Sequence, residues 1–412
     1  MAANTSSTGL AIGGGEPVRT APWPQYPVFG DAEVEAAARV VRTSNLSSLF
    51  GEEANTFERE YAACFDSPHA IACSNGTTAL HIAIACAGVG VGDEVIVTPY
   101  TFYVSATSVL MHNAIPVFAD VEPETLGLDA DAVADRMTAR TKAIILVHTN
   151  GFPCAHTDRL MDLAESRGIA LIEDCSHAHG AEFRGRKVGT IGHYGTFSFQ
   201  HKKNLTLGEG GMITTRDEDL AEKARDMRTF RRTELGFNYR MPELQAAMGR
   251  VRLPRLEEEN EMRRRSATWL DSALSGIPGI ASRRPAPETT PVYYAYVLDY
   301  DEETVGVPRR RVVDALVAEG IPASAGYSPI YRHPTLRNKD AYNRGCPWSC
   351  PYYEAPEAER PSYEDGLCPV AEEYCDRRNI EIKIQPTCGE GEMADVAHAV
   401  KKVMEHVDEL LK

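Results

Sequence analysis

From residue 69 onward, short apolar runs alternate with stretches whose apolar residues recur at helical spacing. The runs at 69–73, 94–98, 115–121, 142–148 and 169–174 read as strands, and 77–87, 103–112, 130–137 and 157–167 read as helices between them. Two more short strands, 195–199 and 212–215, flank a glycine-rich turn. Strand and helix in alternation predict an α/β unit built on a mainly parallel sheet covered on both faces. Ligands of such sheets sit beyond the carboxyl ends of the strands, so the loops that follow them are where chemistry is expected. Upstream, residues 1–30 carry Gly13-Gly14-Gly15 and four prolines without any apolar period, and they read as an extended arm. Asp31 then caps a helix over 32–41, and a second helix covers 52–64.

After Pro242 the pattern becomes helical again, over 243–250 and a charged stretch to 274. Strands at 291–300 and 379–384 with helices at 309–319 and 393–411 predict a smaller α+β unit. Residues 333–367, rich in Pro, Tyr and Cys, read as a long irregular loop. The expected organisation is an arm (1–30), a large domain (31–250), and a linker helix with a small C-terminal domain (251–412).

A chain of 412 residues, 43% hydrophobic and 25% charged, suits a large domain with a smaller one. Its formal charge of −16 argues against nucleic acid as a partner. No run of about 18 apolar residues is present, so no membrane span is expected. Residues 1–15 lack the basic start and apolar core of a signal peptide, and a cytoplasmic location is expected. The ten cysteines are scattered, several inside apolar runs, as in proteins with reduced thiols. Cys346 and Cys350 have no matching histidine cluster, and no metal is expected.

Four loops carry candidate chemistry. Gly76-Thr77 opens a helix after the first strand and offers backbone N–H groups and a hydroxyl to an anion, or serves as an ordinary N-cap. Pro99-Tyr100-Thr101-Phe102-Tyr103 follows the second strand, and an aromatic there can stack on a planar ring or pack in the core. The strand ending in Glu173-Asp174 puts a carboxylate where burial demands a partner, such as a protonated ring nitrogen. His177 can hydrogen-bond the same ligand; a zinc site with His179 is the competing reading, and it lacks further ligands. Lys202 and Lys203 precede a tight glycine turn, where partial burial would favour a neutral, imine-forming amine. A phosphate grip, a stacking ring, a carboxylate and such a lysine are the parts a pyridoxal phosphate enzyme requires.

The segment Lys203-Asn-Leu-Thr-Leu-Gly208-Glu209-Gly210-Gly211 resembles the lysine and Gly-Glu-Gly-Gly signature of the DegT/DnrJ/StrS sugar aminotransferases, and the likeness runs from about residue 10 to the C-terminus. The resemblance implies the aspartate aminotransferase-like fold (fold type I), with a seven-stranded sheet. It implies that Lys203 links to pyridoxal 5′-phosphate, that Asp174 holds the pyridine nitrogen, and that Phe102 stacks on the ring. Ser198, Gly76 and Thr77 would contact the phosphate, and His177 would sit near the 3-hydroxyl. Gly236-Phe-Asn238-Tyr-Arg240-Met241 resembles a motif whose asparagine reaches the neighbouring subunit's site, which implies a homodimer with shared active sites. Lysine rather than histidine at 203 favours transamination over sugar dehydration.

The Gly-Gly-Glu-Pro-Val-Arg arm and Gly326-Tyr-Ser-Pro-Ile-Tyr-Arg332 look closest to the cyclitol and aminohydroxybenzoate branch, from which Asn379-Ile-Glu-Ile-Lys-Ile-Gln-Pro departs. The expected reaction moves an amino group from L-glutamate or L-glutamine to a keto-cyclitol or a keto-sugar, nucleotide-linked or not, in amino-sugar or antibiotic biosynthesis. The same lysine and aspartate would also serve elimination or aromatisation, or a sensor that holds the cofactor without turnover. A dinucleotide-binding reading fails because no Gly-x-Gly-x-x-Gly follows the first strand.

Overall fold

The computed structural model describes residues 9–230 and 235–411. Its strands, in chain order, are β1 (His69–Cys73), β2 (Glu94–Val97), β3 (Ile115–Phe118), β4 (Thr141–Val147), β5 (Ala170–Asp174), β6 (Glu182–Phe183), β7 (Arg186–Lys187), β8 (Tyr194–Ser198), β9 (Gly211–Thr215), β10 (Ile280–Ser282), β11 (Thr289–Thr290), β12 (Tyr296–Tyr300), β13 (Ala323–Ser324) and β14 (Asn379–Ile382). The seven predicted strands make one sheet in the order β1-β9-β8-β5-β4-β2-β3. Neighbours β3, β2, β4, β5 and β8 run parallel, and β9 is antiparallel to both β1 and β8. The sheet is the mainly parallel one expected, and its strands are buried almost throughout because helices cover both faces.

Helix α1 (Asp31–Thr43), α2 (Glu53–Cys64) and α3 (Gly76–Cys86) precede the crossovers. Helix α2 packs on β8 through aromatic rings. Tyr61 stacks on Phe65 with centroids 4.2 Å apart and meets Phe197 edge-on at 5.4 Å. These contacts fix the strand whose last residue, Ser198, reaches the site.

A second core lies under the antiparallel sheet β10-β12-β14-β13. Strand β14 shows why its sequence departs from an apolar run. Ile380, Ile382 and Ile384 enter this core, while the alternating Asn379, Glu381 and Lys383 face away from it. The N-terminal arm lies on the same unit: Leu10 is buried in its core, Glu319 accepts from the N–H groups of Ala11 and Val18 (2.9 Å each), and Arg19 pairs with Asp395 at 2.7 Å.

Three expectations change. The strand read at 291–300 starts only at Tyr296, because the N–H groups of Val292 and Tyr294 donate instead to the carbonyls of Gly151 and Asn150. The last helix begins earlier, at Glu390, where Glu392 accepts from the Gly389 N–H at 2.9 Å, and it ends at Glu405 before a 3₁₀ turn. Residues 333–367 are largely irregular, yet they contain the short helix Pro334–Arg337 and serve as a lid on the large sheet's edge. Tyr363 donates to the carbonyl of Pro116 (2.8 Å), Trp348 donates to Tyr363 (2.9 Å), and Tyr353 donates to Glu94 (2.9 Å).

Candidate active site

A cleft of about 590 Å³ opens where the carboxyl ends of β4, β5 and β8 meet the N-terminus of α3. Gly76, Thr77, Phe102, Asp174, His177, Ser198 and Lys203 all line it, as do Tyr294 and Tyr327. Of the residues that the resemblance assigns to the cofactor, Asn238 alone lies elsewhere. Its side chain is exposed and its backbone is left-handed (φ 61°), on the surface before helix α8 (Glu243–Arg252).

One end of the cleft is built for an anion. Asn75 caps α3, its side chain accepting from the Thr78 N–H at 2.9 Å, so the Gly76 and Thr77 N–H groups remain the free donors of the first turn. Gly76 is required by proximity: a Cβ there would lie 2.6 Å from the Cβ of Ser198. Helix start and strand end thus converge, and the helix dipole adds positive potential.

The opposite end holds Asp174. Its neighbour Glu173 is fully buried and takes hydrogen bonds from the N–H groups of Gly189, Ile191 and Gly192 and from His148. That set holds the Glu173 carboxyl below its usual range in spite of burial. It anchors the end of β5 and leaves Asp174 facing the cleft. There Asp174 accepts from the Ser176 N–H (3.0 Å) and the Ser105 hydroxyl (3.3 Å) and meets no cation at ion-pair distance among the described residues.

Lys203 sits between these ends. Burial, reinforced by Lys383 and opposed by Asp174, lowers its pKa to about 8. Its ammonium lies 5.1 Å from the Tyr294 ring centre and has no ion pair among the described residues. A lysine so placed has a sizeable neutral, nucleophilic fraction near neutrality.

His177 lies flat on Tyr294, with centroids 3.9 Å apart and planes 3° from parallel. Its Nδ1 accepts from the Asn150 N–H at 3.4 Å, so its proton resides on Nε2, which faces the Tyr327 hydroxyl at 3.4 Å. Burial, with Lys203 and Lys383 nearby, pushes its pKa well down and keeps it neutral. His179, the other residue of the competing zinc reading, does not line the cleft: its ring packs against Phe197 and Phe199.

Sequence reasoning missed Tyr294, Tyr327, Asn150 and the β14 side chains. Tyr294 and Tyr327 arrive from distant loops, and no local pattern marks them. Glu381 and Lys383 did carry a signal, since charges alternating with isoleucines in a strand place the charges on one face.

The parallel sheet with its second α+β core, and a cleft that sets a low-pKa lysine beside a strand-end carboxylate, define an aminotransferase of fold type I. Residues 28–355 match the model of the DegT/DnrJ/EryC1/StrS aminotransferase family, and the chain belongs to that family. It is 37% identical to the L-glutamine:2-deoxy-scyllo-inosose aminotransferase of Streptomyces kanamyceticus, over 97% of this chain and 98% of that one. Among solved structures it is similar to an aminotransferase from Psychrobacter cryohalolentis (31% identity, TM-score 0.84, 94% of this chain and 100% of that one). It is also similar to 3-amino-5-hydroxybenzoic acid synthase (30% identity, TM-score 0.81, 96% and 100%).

Proposed function

We propose that this chain is a pyridoxal phosphate-dependent transaminase that passes the amino group of L-glutamine, or of L-glutamate, to a keto-cyclitol or a related keto-sugar. The observation that carries the reading is Lys203: partly buried, without an ion pair among the described residues, lowered to about 8, and in one cleft with Asp174. The Streptomyces kanamyceticus relative supports L-glutamine as donor and an uncharged cyclitol as acceptor.

The cleft fits the cofactor. The α3 N-terminus with Ser198 suits a phosphate, and the missing Cβ of Gly76 lets Ser198 come up against that helix end. Asp174 would hold the proton of the ring nitrogen, Phe102 and His177 would bound the ring, and Lys203 would link to it. When bound, the cofactor supplies an electron sink for the carbanion formed at the donor's Cα.

The remaining chemistry belongs to the chain. Once freed from the cofactor, Lys203 would take the proton from the donor's Cα as general base and deliver it, as general acid, to the cofactor. Its lowered pKa keeps the amine competent near neutral pH. Asp174, held by Ser105 and the Ser176 N–H, stays oriented toward the positive charge it would stabilise. Neutral His177, fixed between Asn150 and Tyr294, adds no positive charge to a cleft already lined by Lys202 and Lys203.

We further infer a homodimer with shared sites. Leu46, Leu49 and Phe50 are exposed apolar residues on a loop joined to the start of α8 by the Ser47–Pro242 bridge. Exposed Val34 and Val41 lie on α1, which packs on α8. Apolar exposure on this scale beside Asn238 suits a surface that a second copy covers.

The test is an absorbance spectrum of the protein loaded with pyridoxal phosphate, before and after L-glutamine or L-glutamate, with product analysis in the presence of 2-deoxy-scyllo-inosose. A visible band that moves to shorter wavelength with the donor, is restored by the ketone, and never forms in Lys203→Ala is the expected result. A band that ignores both donors overturns the reading, and loss of water from the ketone without amination would mark elimination or aromatisation instead.

A further inference from the structure

Beside the cleft lies a second, smaller cavity of about 280 Å³ that shares Tyr294 and Lys202 with it. Lys383 and Arg263 also line this cavity. Lys383 enters because the alternation of β14 continues one residue past its end: Ile382 and Ile384 on either side turn into the second core, and the lysine turns out of it. Its ammonium stands 3.7 Å from the centre of the Tyr294 ring. With His177 flat against one face of that ring at 3.9 Å, only the opposite face is open to an ammonium so close. Lys203, 5.1 Å from the same ring centre, is the next cation.

The lysines of this group, Lys202, Lys203 and Lys383, have no ion-pair partner among the described residues, although Asp174 and Glu381 act on Lys203 and Lys383 from further away. The carboxylate two residues from Lys383, Glu381, is already engaged by Tyr100, Asn150 and Asn379. Arg263 has Glu259 4.0 Å away, but Glu259 is held by Arg252 at 3.0 Å. Burial and Lys202 both disfavour the charge on Lys383, while Glu381 supports it. An arrangement of this kind is costly to leave empty and is relieved by an anion.

We propose that Lys383 anchors the α-carboxylate of the amino donor, with Tyr294 as the wall that aligns it. The inference rests on the transaminase reading above. An α-amino acid that reacts at Lys203 puts its nitrogen where the lysine nitrogen was, and its carboxylate is two bonds further on. The anion-binding group must therefore stand beside the reacting lysine, on a shared wall, as Lys383 does. The phosphate end of the cleft, at Gly76 and Ser198, is built from other elements. A keto-cyclitol has no charge and gains nothing from Lys383, so this residue would tell donor from acceptor in one cleft that must take both.

The experiment uses the loaded enzyme and two variants, Lys383→Gln and Lys383→Arg. The probe is glutaramate, the donor without its amine, titrated against the visible band; it binds without reacting. L-Glutamine turnover and affinity for pyridoxal phosphate are measured alongside. Lys383→Gln is expected to weaken glutaramate binding and raise the KM for L-glutamine by roughly tenfold or more, with a much smaller change in kcat. The KM for the neutral ketone and the affinity for pyridoxal phosphate should be nearly unchanged, and Lys383→Arg should recover most of the donor affinity. Unchanged glutaramate binding overturns the inference. So does a loss confined to the ketone, a loss of pyridoxal phosphate affinity, which would place a phosphate at Lys383, or an equal loss of everything, which would mark a structural role. If the wild-type enzyme is not converted by L-glutamine or L-glutamate, the functional reading itself fails; if it is converted and Lys383→Gln behaves alike, only this inference fails.

Discussion

Asn150 and Glu381 meet at 2.9 Å, the side-chain amide of the first donating to the carboxylate of the second. The pair joins the loop after β4 to β14, so the two sheets are tied at the edge of the cleft. Asn150 also presents its backbone N–H to His177 Nδ1, and it does so from a left-handed conformation (φ 56°) that costs energy in a residue other than glycine. Glu381 additionally accepts from Tyr100 and Asn379. Glu381→Ala would leave these buried donors without an acceptor. A loss of about 2–4 kcal/mol is expected, read as a lower urea midpoint at unchanged slope. A drop in kcat should accompany it, because His177 loses its support. A variant as stable as the wild type would show that water or a neighbour replaces the carboxylate.

Lys203 makes covalent uptake of pyridoxal phosphate a pH-dependent event. Only the neutral amine attacks the aldehyde, and burial lowers its pKa to about 8 from the usual 10.5. The uptake rate of the apoprotein, followed by the visible band in stopped flow, should rise with pH and level off above about 8. Asp174 raises this pKa, so Asp174→Asn should move the midpoint lower. The linkage has a matching sign. A lysine whose folded pKa lies below its unfolded value binds fewer protons when folded, so its penalty is full below about 8 and relieved as pH rises toward 10.5. A midpoint near 10.5 would mean that the amine is solvated.

Gly76 tests whether the anion end depends on close approach of helix and strand. In Gly76→Ala the new methyl would stand 2.6 Å from Ser198 Cβ and 3.2 Å from its Cα, so α3 must move off β8. Pyridoxal phosphate affinity should fall roughly tenfold or more, the equivalent of about 1.4 kcal/mol. The double variant Gly76→Ala with Ser198→Gly restores space but removes a hydroxyl. Recovery of thermal stability without full recovery of affinity is the expected pattern. Equal affinity in Gly76→Ala would show that the phosphate does not use this turn.

What the sequence revealed follows from how far each signal reaches along the chain. The strands of the large sheet are buried on both faces and stand out as apolar runs, such as Val95-Ile96-Val97 and Ile144-Ile145-Leu146. The strand-end residues Asp174 and Ser198 came with them, because the loop after a strand is where a parallel sheet keeps its ligands. Tyr294 was hidden for the opposite reason. Its position depends on backbone bonds to Asn150, far away in sequence, and no periodicity encodes that pairing. Trp348, Tyr353 and Tyr363 looked irregular because they fill gaps over β2 and β3 one ring at a time. Lys383 lay between: its alternation with isoleucines was visible, but which face met the cavity beside the cleft was not.

Asn238 separates a shared site from a self-contained one. Its side chain is exposed, it does not line the cleft of its own chain, and exposed Leu46, Leu49 and Phe50 stand on the adjoining surface. If the asparagine completes the neighbour's site, Asn238→Ala and Lys203→Ala should each be nearly inactive as pure dimers. Mixed after partial denaturation and refolding, they should form heterodimers in which one site carries both defects and the other carries neither. Random pairing puts half of the dimers in that mixed state, so about a quarter of wild-type activity per site should return. If Asn238 instead served its own chain, every site in the mixture would hold one defect and no activity would return. The two outcomes differ in kind, and a sedimentation measurement on the mixture shows whether dimers formed at all.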